Sequence, residues 1–487
     1  MHDPTQPRTA LPAGQPLPTN RSRRPAALFF CLAAFAAGAL VPATYARCDK
    51  IELSPSGGDD TDAIRSAIEL AGPDGTVELR AGTFRISESI IVRHSLTIKG
   101  AGRNQTTVIA DASLAPGGIY PNISEEERTS IEFFKAVPAV FIFHVAENRF
   151  GRYGLRDLTL GVSGLTEPHF DGLEGDGSER LFALVLVVGS DGFWHNSAGE
   201  SPTDIGEIDA EHRVLSTVRF RCEDVFFDGK NRDPGAPDIF RGFFMVGGIV
   251  FSHYENGEEV EDGLPKPVNG NVSFRKCRFA DIAEGGIFAS SVIGRGDPYW
   301  TFGPEAVEGA VVVRECDFER APYAVLLYDL SDTRVVVEHC PIRESDVGVY
   351  ISNDFNAEVF AWIGYPETAM CTLLVRDSVF RDGGFADVWV EEFQRGHTVD
   401  ARIRDCQFRL EGDGEVGIRF DGTQGALVRD CEFSGPGEAG IYALDAEGLR
   451  LDDNNFCDLE PSNPEGTTVV VDGTTTIVSH HNDCLDF

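Results

Sequence analysis

The sequence predicts an all-β chain wound as a stacked solenoid, on three observations. A phrase is repeated: residues 401–445 read ARIRDCQF, VGIRFDG, ALVRDCEF and AGIYALD, with short gaps between. The composition holds 52 Gly and 34 Phe against 3 Met, which suits short strands joined by tight turns better than helices. The length of 487 residues, 42% hydrophobic, has room for two or three ordinary domains or for one long repeat array with a substantial core.

The N-terminus reads as an export signal. Arg21, Arg23 and Arg24 precede an apolar run over 26–41, which is short for a membrane span, and Pro42-Ala43-Thr44-Tyr45-Ala46 supplies small residues for cleavage after Ala46. Residues 1–46 are therefore expected to be a signal peptide and 47–487 the mature domain, exported to the periplasm or beyond by the general or the twin-arginine route. Removing one acid and four arginines with the signal takes the formal charge from −36 to −39. Such a surface repels nucleic acid and anionic membranes, so neither is an expected partner; a cation such as calcium is, and the chain is expected to be a monomer.

After the signal, a helix is expected over 57–72, capped by Asp60 or Thr61, with Ala63, Ile64, Ala67, Ile68 and Ala71 on its apolar face. Gly72-Pro73-Asp74-Gly75 ends it. The segments TVELR, TFRI, SIIV, SLTIKG and TTVIA then read as short strands. One amphipathic helix ahead of a strand stack suits a lid over the open end of a solenoid, where unpaired strand edges need cover.

The run GGDDTDAIRSAIELA…GTVELRAGTFRIS…SLTIKGAG, over about residues 57–102, resembles the opening of pectin-lyase-like superfamily proteins. The resemblance implies a single-stranded right-handed parallel β-helix with a short N-terminal cap helix, its coils filling 76–487. It also implies a polysaccharide as substrate class, since the superfamily includes pectate lyases and polygalacturonases. The sequence departs from both: it has no Asn-Thr-Asp, Gly-His-Gly or Arg-Ile-Lys, and no pectate-lyase motif around a catalytic arginine. No family catalytic residue carries over, and one scaffold hosts many chemistries.

Two strand types recur. In the first, one position holds Cys222, Cys277, Cys316, Cys340, Ser378, Cys406, Cys431 and Asn454, spaced by 25 and 23 residues over the last steps, a length for a three-strand coil. Six of these are cysteines, expected as a ladder of small buried thiols at a tight turn. The second strand recurs as GIVFSH, GIFASS, AVLLYD, GVYISN, DVWVEE, GIRFDG, GIYALD and TVVVDG. Irregular segments 254–270, 292–309 and 353–370, with an earlier one around Trp194 and His195, carry Trp300 and Trp362 and would wall one flank of a groove. Cys457 and Cys484 lie 27 residues apart, one coil, and are expected to form a disulfide pinning the last coil. Cys31 leaves with the signal, and Cys48 and Cys371 have no evident partner.

Strand alternation turns the residue after each Gly-Ile outward. That column is Val250, Phe288, Leu326, Tyr350, Trp389, Arg419, Tyr442 and Val470; two residues on it is Ser252, Ser290, Tyr328, Ser352, Glu391, Asp421, Leu444 and Asp472. Tyr350, Trp389 and Tyr442 are the candidate sugar-stacking residues, and Glu391, Arg419 and Asp421 the candidate catalytic ones. The alternative is that the loops pack over these rings and bury them. Glu391 and Asp421 on adjacent coils suit retaining glycoside hydrolysis, or a calcium site completed by Asp387 and Glu392. In a lyase, Arg419 would abstract the proton, a hard task for a guanidinium. The expected function is a secreted polysaccharide-processing enzyme, lyase or glycoside hydrolase; the alternative is a non-catalytic glycan-binding or structural β-helix.

Overall fold

The structure is a computed structural model and describes residues 50–115, 139–144, 150–164, 183–188, 217–231, 243–247, 254–255, 258–259, 268–282, 285–290, 292–293, 310–328, 333–352, 371–392, 399–412 and 414–487. The signal segment, Cys48, Trp194, His195, Trp300, Trp362 and most of the irregular segments lie outside the described residues.

The described chain is a right-handed parallel β-helix with one helix at its start. Each coil contributes one strand to an eleven-stranded sheet, here the Gly-Ile sheet, and its other strands to a 23-stranded sheet that bears the Arg-Asp-Cys motif. Every pairing within these two sheets is parallel; the described exception is a two-residue hairpin, Tyr254–Glu255 with Glu258–Glu259. Parallel strands stacked in this way are buried on their inner face, and from Ile287 onward the inward column of the Gly-Ile sheet is aliphatic: Ile287, Val325, Val349, Val388, Ile418, Ile441 and Val469 are all fully buried. Opposite them run stacked phenylalanines, one per coil. Phe227, Phe279 and Phe318 lie 4.5 and 4.8 Å apart between ring centroids, and Phe380, Phe408, Phe433 and Phe456 lie 5.0, 4.8 and 4.6 Å apart with planes within 9°. Ile342 bridges the two stacks. The repeat distance of the coils therefore equals a ring-stacking distance, and each ring adds contact to the one on the next coil.

The expected tight turn is present, and its cause is local. The residue before each ladder position has a left-handed backbone: Lys276, Glu315, His339, Asp377, Asp405, Asp430 and Asp453 have φ between 51° and 55°. Aspartate, commonest here, tolerates that region better than most non-glycine residues. The ladder side chains close the turn by donating to the carbonyl two residues back, Cys316 to Arg314 at 3.3 Å, Ser378 to Arg376 at 2.9 Å and Cys406 to Arg404 at 3.2 Å. Asn454 instead reaches along the stack, its Oδ1 accepting from the Cys431 N–H at 3.0 Å and its Nδ2 donating to Val428 O. Cys222, Cys277, Cys316, Cys340, Cys371, Cys406 and Cys431 are all buried free thiols. Burial pushes the Cys340 thiol up to about 12, far from reactive.

Two alignments need correction. Cys222 pairs with Phe274, and the residue at the level of Cys277 is Val225, three positions later, so the ladder begins at Cys277. In the Gly-Ile sheet the strand before Gly285–Ser290 is Phe243–Gly247. Met245 stands opposite Phe288 and Gly247 opposite Ser290, not Val250 and Ser252.

The helix spans Thr61–Ala71 and buries Ile64, Ala67, Ile68 and Ala71; Ala63 is exposed. It packs on strands Lys50–Leu53, Gly75–Leu79 and Ile90–Val92, as a lid on the first coil should. Asp60 occupies the cap position without capping. Its carboxylate accepts the N–H groups of Ser56 at 2.8 Å and Arg85 at 3.2 Å, while Asp59 Oδ1 takes the Thr61 N–H at 2.9 Å. The buried Asp60 thus ties the helix to the strand beneath. Gly72, with φ 65°, lets the chain leave the helix in a conformation other residues resist.

The last coil is closed by the C-terminal tail. Asp483 bridges Asn455, Asp486 O accepts the Val469 N–H at 3.0 Å, and a disulfide joins Cys457 to Cys484 with Cα atoms 5.0 Å apart.

Candidate functional site

The register of the Gly-Ile sheet decides which side chains meet. Leu326 pairs with Tyr350, Tyr350 with Trp389, Trp389 with Arg419, Arg419 with Tyr442 and Tyr442 with Val470. In the parallel column Ser352 pairs with Glu391 and Glu391 with Asp421. Glu391 and Asp421 therefore lie on adjacent coils, about 4.8 Å apart at Cα. The earlier part of the outward column is covered: Ile142, Leu186 and Leu326 are all buried. The face opens at Trp389, Arg419 and Tyr442, each half-buried.

These groups form one bonded pair and one bonded trio. Tyr350 Oη donates to Glu391 Oε2, and both residues are buried, at 7% and 6% exposure. Asp421 Oδ2 accepts from Trp389 Nε1 at 2.8 Å and Arg419 Nε at 2.7 Å. The Arg419 guanidinium lies 5.1 Å from the Trp389 ring, 5.2 Å from Phe385 and 5.4 Å from Tyr442, so three rings enclose one cation. Tyr350 meets the Trp389 edge at 4.8 Å.

The two carboxylates are thus set in unlike surroundings. Asp421 lies against a cation and an indole N–H, whereas Glu391 is buried and bonded by a neutral hydroxyl. Environments that differ in this way are what assign acid and base roles to a carboxyl pair.

Three expectations change. Tyr350 is buried, so its ring cannot stack on a sugar; it positions Glu391 instead. Asp387 does not join Glu391 and Asp421. It lies on the same extended strand, Ala386–Glu391, four residues before Glu391, which at about 3.3 Å per residue is about 13 Å away. Among the described residues no group of three His, Cys, Asp or Glu could hold a metal ion. Arg419 is held as a cation by Asp421 and the rings, a poor arrangement for proton abstraction.

Phe385 is the residue that sequence reasoning missed. It precedes the strand at a position where the neighbouring coils carry Asp346, Glu415 and Glu438, and it is 38% exposed. An apolar residue in a column of acids was the available signal.

No family model matches the chain, and no curated protein sequence does. Solved structures similar to it include a polygalacturonase from Erwinia carotovora ssp. carotovora, at 8% identity and TM-score 0.39, covering 88% of this chain and 94% of that one. Another is the catalytic unit of a thermostable alpha-1,3-glucanase from Streptomyces thermodiastaticus, at 12%, TM-score 0.38, and 93% and 71% coverage. A third is the surface protein and adhesin PfbA of Streptococcus pneumoniae, at 10%, TM-score 0.39, and 88% and 100% coverage. Likeness at this level carries no activity across. The coil topology itself is that of a parallel β-helix.

Proposed function

We propose that this chain is an exported protein that binds and hydrolyses a neutral polysaccharide on the open part of the Gly-Ile sheet. The observation that carries the reading is the register of Glu391 opposite Asp421, in unlike surroundings, beside the half-exposed rings of Trp389 and Tyr442. Glu391 is the candidate general acid and Asp421 the candidate nucleophile, at a spacing that suits retention of configuration. Trp389, Tyr442 and Phe385 would stack on sugar rings, and Arg419 would orient Asp421. A lyase mechanism is less favoured because Arg419 is already engaged. A formal charge of −36 favours a neutral glycan over a polyuronate. The signal-like segment supports export; among the described residues no helix is long and apolar enough to cross a membrane.

A non-catalytic glycan-binding β-helix is the second reading. The observation favouring it is that Tyr350, Glu391, Trp389, Asp421 and Arg419 already bond one another. Both readings meet in one experiment: a panel of neutral and acidic polysaccharides, with and without calcium, assayed for binding, reducing ends and unsaturated product. Hydrolysis should be lost in Glu391→Gln and Asp421→Asn with binding retained. Binding without turnover supports the second reading, and turnover unaffected by both substitutions removes the first.

A further inference from the structure

The second position of the Gly-Ile strands is glycine or alanine in coil after coil: Gly286, Ala324, Gly348, Gly417 and Gly440. The reason is steric. A Cβ on Gly348 would meet the Phe380 ring at 2.8 Å, and one on Gly417 or Gly440 would meet Phe433 or Phe456 at 2.9 Å. Within this run one coil breaks the rule. Between Gly348 and Gly417 stands Asp387, 2% exposed, with its Oδ2 buried and lacking any hydrogen-bond partner.

A second carboxyl lies beside it. A methyl group on Gly383 would meet Glu415 Oε1 at 2.5 Å and Asp387 Oδ1 at 2.9 Å, so the two crowd the same space above one glycine. The other charges at this corner are mostly acidic. Asp382 acts on both groups, Asp346 faces Gly384, and Glu411 is bonded to Asp382, with Arg381 as the nearby cation.

The two buried carboxyls are not equivalent. Glu415 accepts three backbone N–H groups, from Glu411 at 2.7 Å, Gly383 at 2.9 Å and Gly412 at 3.2 Å, donors that favour its anion and oppose the burial that raises its carboxyl. Asp387 Oδ2 has no donor. Burial, then the carboxylates of Glu415 and Asp382, push the Asp387 carboxyl well above the usual range. An unpaired charge there would be left without solvent or partner, so the proton stays.

We propose that Asp387 is a neutral carboxylic acid at neutral pH and forms, with Glu415, a proton-dependent latch on the strand that presents the site. Phe385 and Trp389 stand two residues to either side of it. When the proton leaves for bulk water, two anions share one buried corner, and the start of the strand moves away with both rings. The consequence for ligand rests on the glycan reading of those rings; the protonation does not. The folded chain keeps this proton over a range in which the unfolded chain has lost it. Stability therefore falls as pH rises from the ordinary carboxyl range, about 4, towards the raised value in the fold.

The test uses the full chain. Infrared spectra at pH 7 should show a protonated-carboxyl carbonyl band that is weaker in Asp387→Asn and in Asp387→Gly, the latter restoring the residue the neighbouring coils use. Relative to the intrinsic amide rate at each pH, protection from hydrogen exchange over residues 383–392 should fall as pH rises in the wild type and stay constant in both variants. An identical carboxyl band in wild type and variants overturns the protonation, and protection that falls equally in all three overturns the latch. If no glycan binds at any pH while the band behaves as expected, the proposed function fails and the latch stands.

Discussion

Glu392 ends the Ala386–Glu391 strand beside the candidate acid, and replacing it with glutamine gives a measurable test of how this corner is held. Its Oε1 accepts the Val399 N–H at 2.5 Å, its carboxylate also takes the Gln424 N–H, and its own N–H donates to Asp421 O at 2.8 Å. Burial pushes the carboxyl from 4.5 up to about 7, with the two N–H bonds pulling the other way. Between those values the folded state keeps a proton that the unfolded state has lost, so stability declines as pH rises through the window. At about 1.36 kcal/mol per pH unit the decline is about 3 kcal/mol once pH exceeds about 7. Glu392→Gln keeps the acceptor oxygen and removes the ionisation. At about 2.1 cal/mol/K per residue, the 47–487 unit has an unfolding entropy of about 0.9 kcal/mol/K, so the gain is about 3 °C in Tm. Thermal unfolding at pH 8 should show the variant about 3 °C more stable, and at pH 5 the two should nearly coincide. An equal difference at both pH values would refute the account, because a packing effect does not titrate.

Three further outcomes follow from the stack. Replacing Cys457 and Cys484 by serine should cost about 3–4 kcal/mol from loop entropy at a separation of 27 residues, read as faster proteolysis of the final coil; both as free thiols in a non-reducing mass spectrum of the wild type would remove the premise. Gly417→Ala should lower Tm through a loss of about 1–3 kcal/mol, because its Cβ would lie 2.7 Å from Gly440 O and 2.9 Å from Phe433. Cys406→Ser should change stability by no more than about 1 kcal/mol, since Ser378 already makes the same bond to a carbonyl two residues back; thiol reagents should label none of the ladder until denaturant is added.

The legible part of the fold was the part with a constant period. From Tyr323 to Val471 the Gly-Ile phrase recurs closely enough to set each pairing, including Trp389 with Arg419 and Glu391 with Asp421. Farther toward the N-terminus the spacing varies, and matching by residue type went astray. Cys222 drew the alignment away from Val225, and GIVFSH drew it from the equally apolar FFMVG. Alternation correctly turned Tyr350 outward but cannot say what covers an outward side chain, and here it is buried. Asp387 had the right parity for the site and the wrong distance, because parity repeats every two residues while a ligand set needs atoms in one place. Its occupation of a glycine column was visible in DVWVEE beside GVYISN and GIRFDG, though only the phenylalanine stack gives the substitution meaning.

The aligned columns of phenylalanine, ladder cysteine and small residue make the upper surface of one coil match the lower surface of the next. A coil is thus a unit that can be copied or deleted whole: duplicating the stretch between Cys406 and Cys431 would present the same rings, turns and strand edges to both neighbours. A fraction of a coil would not, since it would set a ring against a turn. The length of this chain can therefore drift in steps of about 4.8 Å while the caps and the site keep their chemistry, and only the distance between them changes.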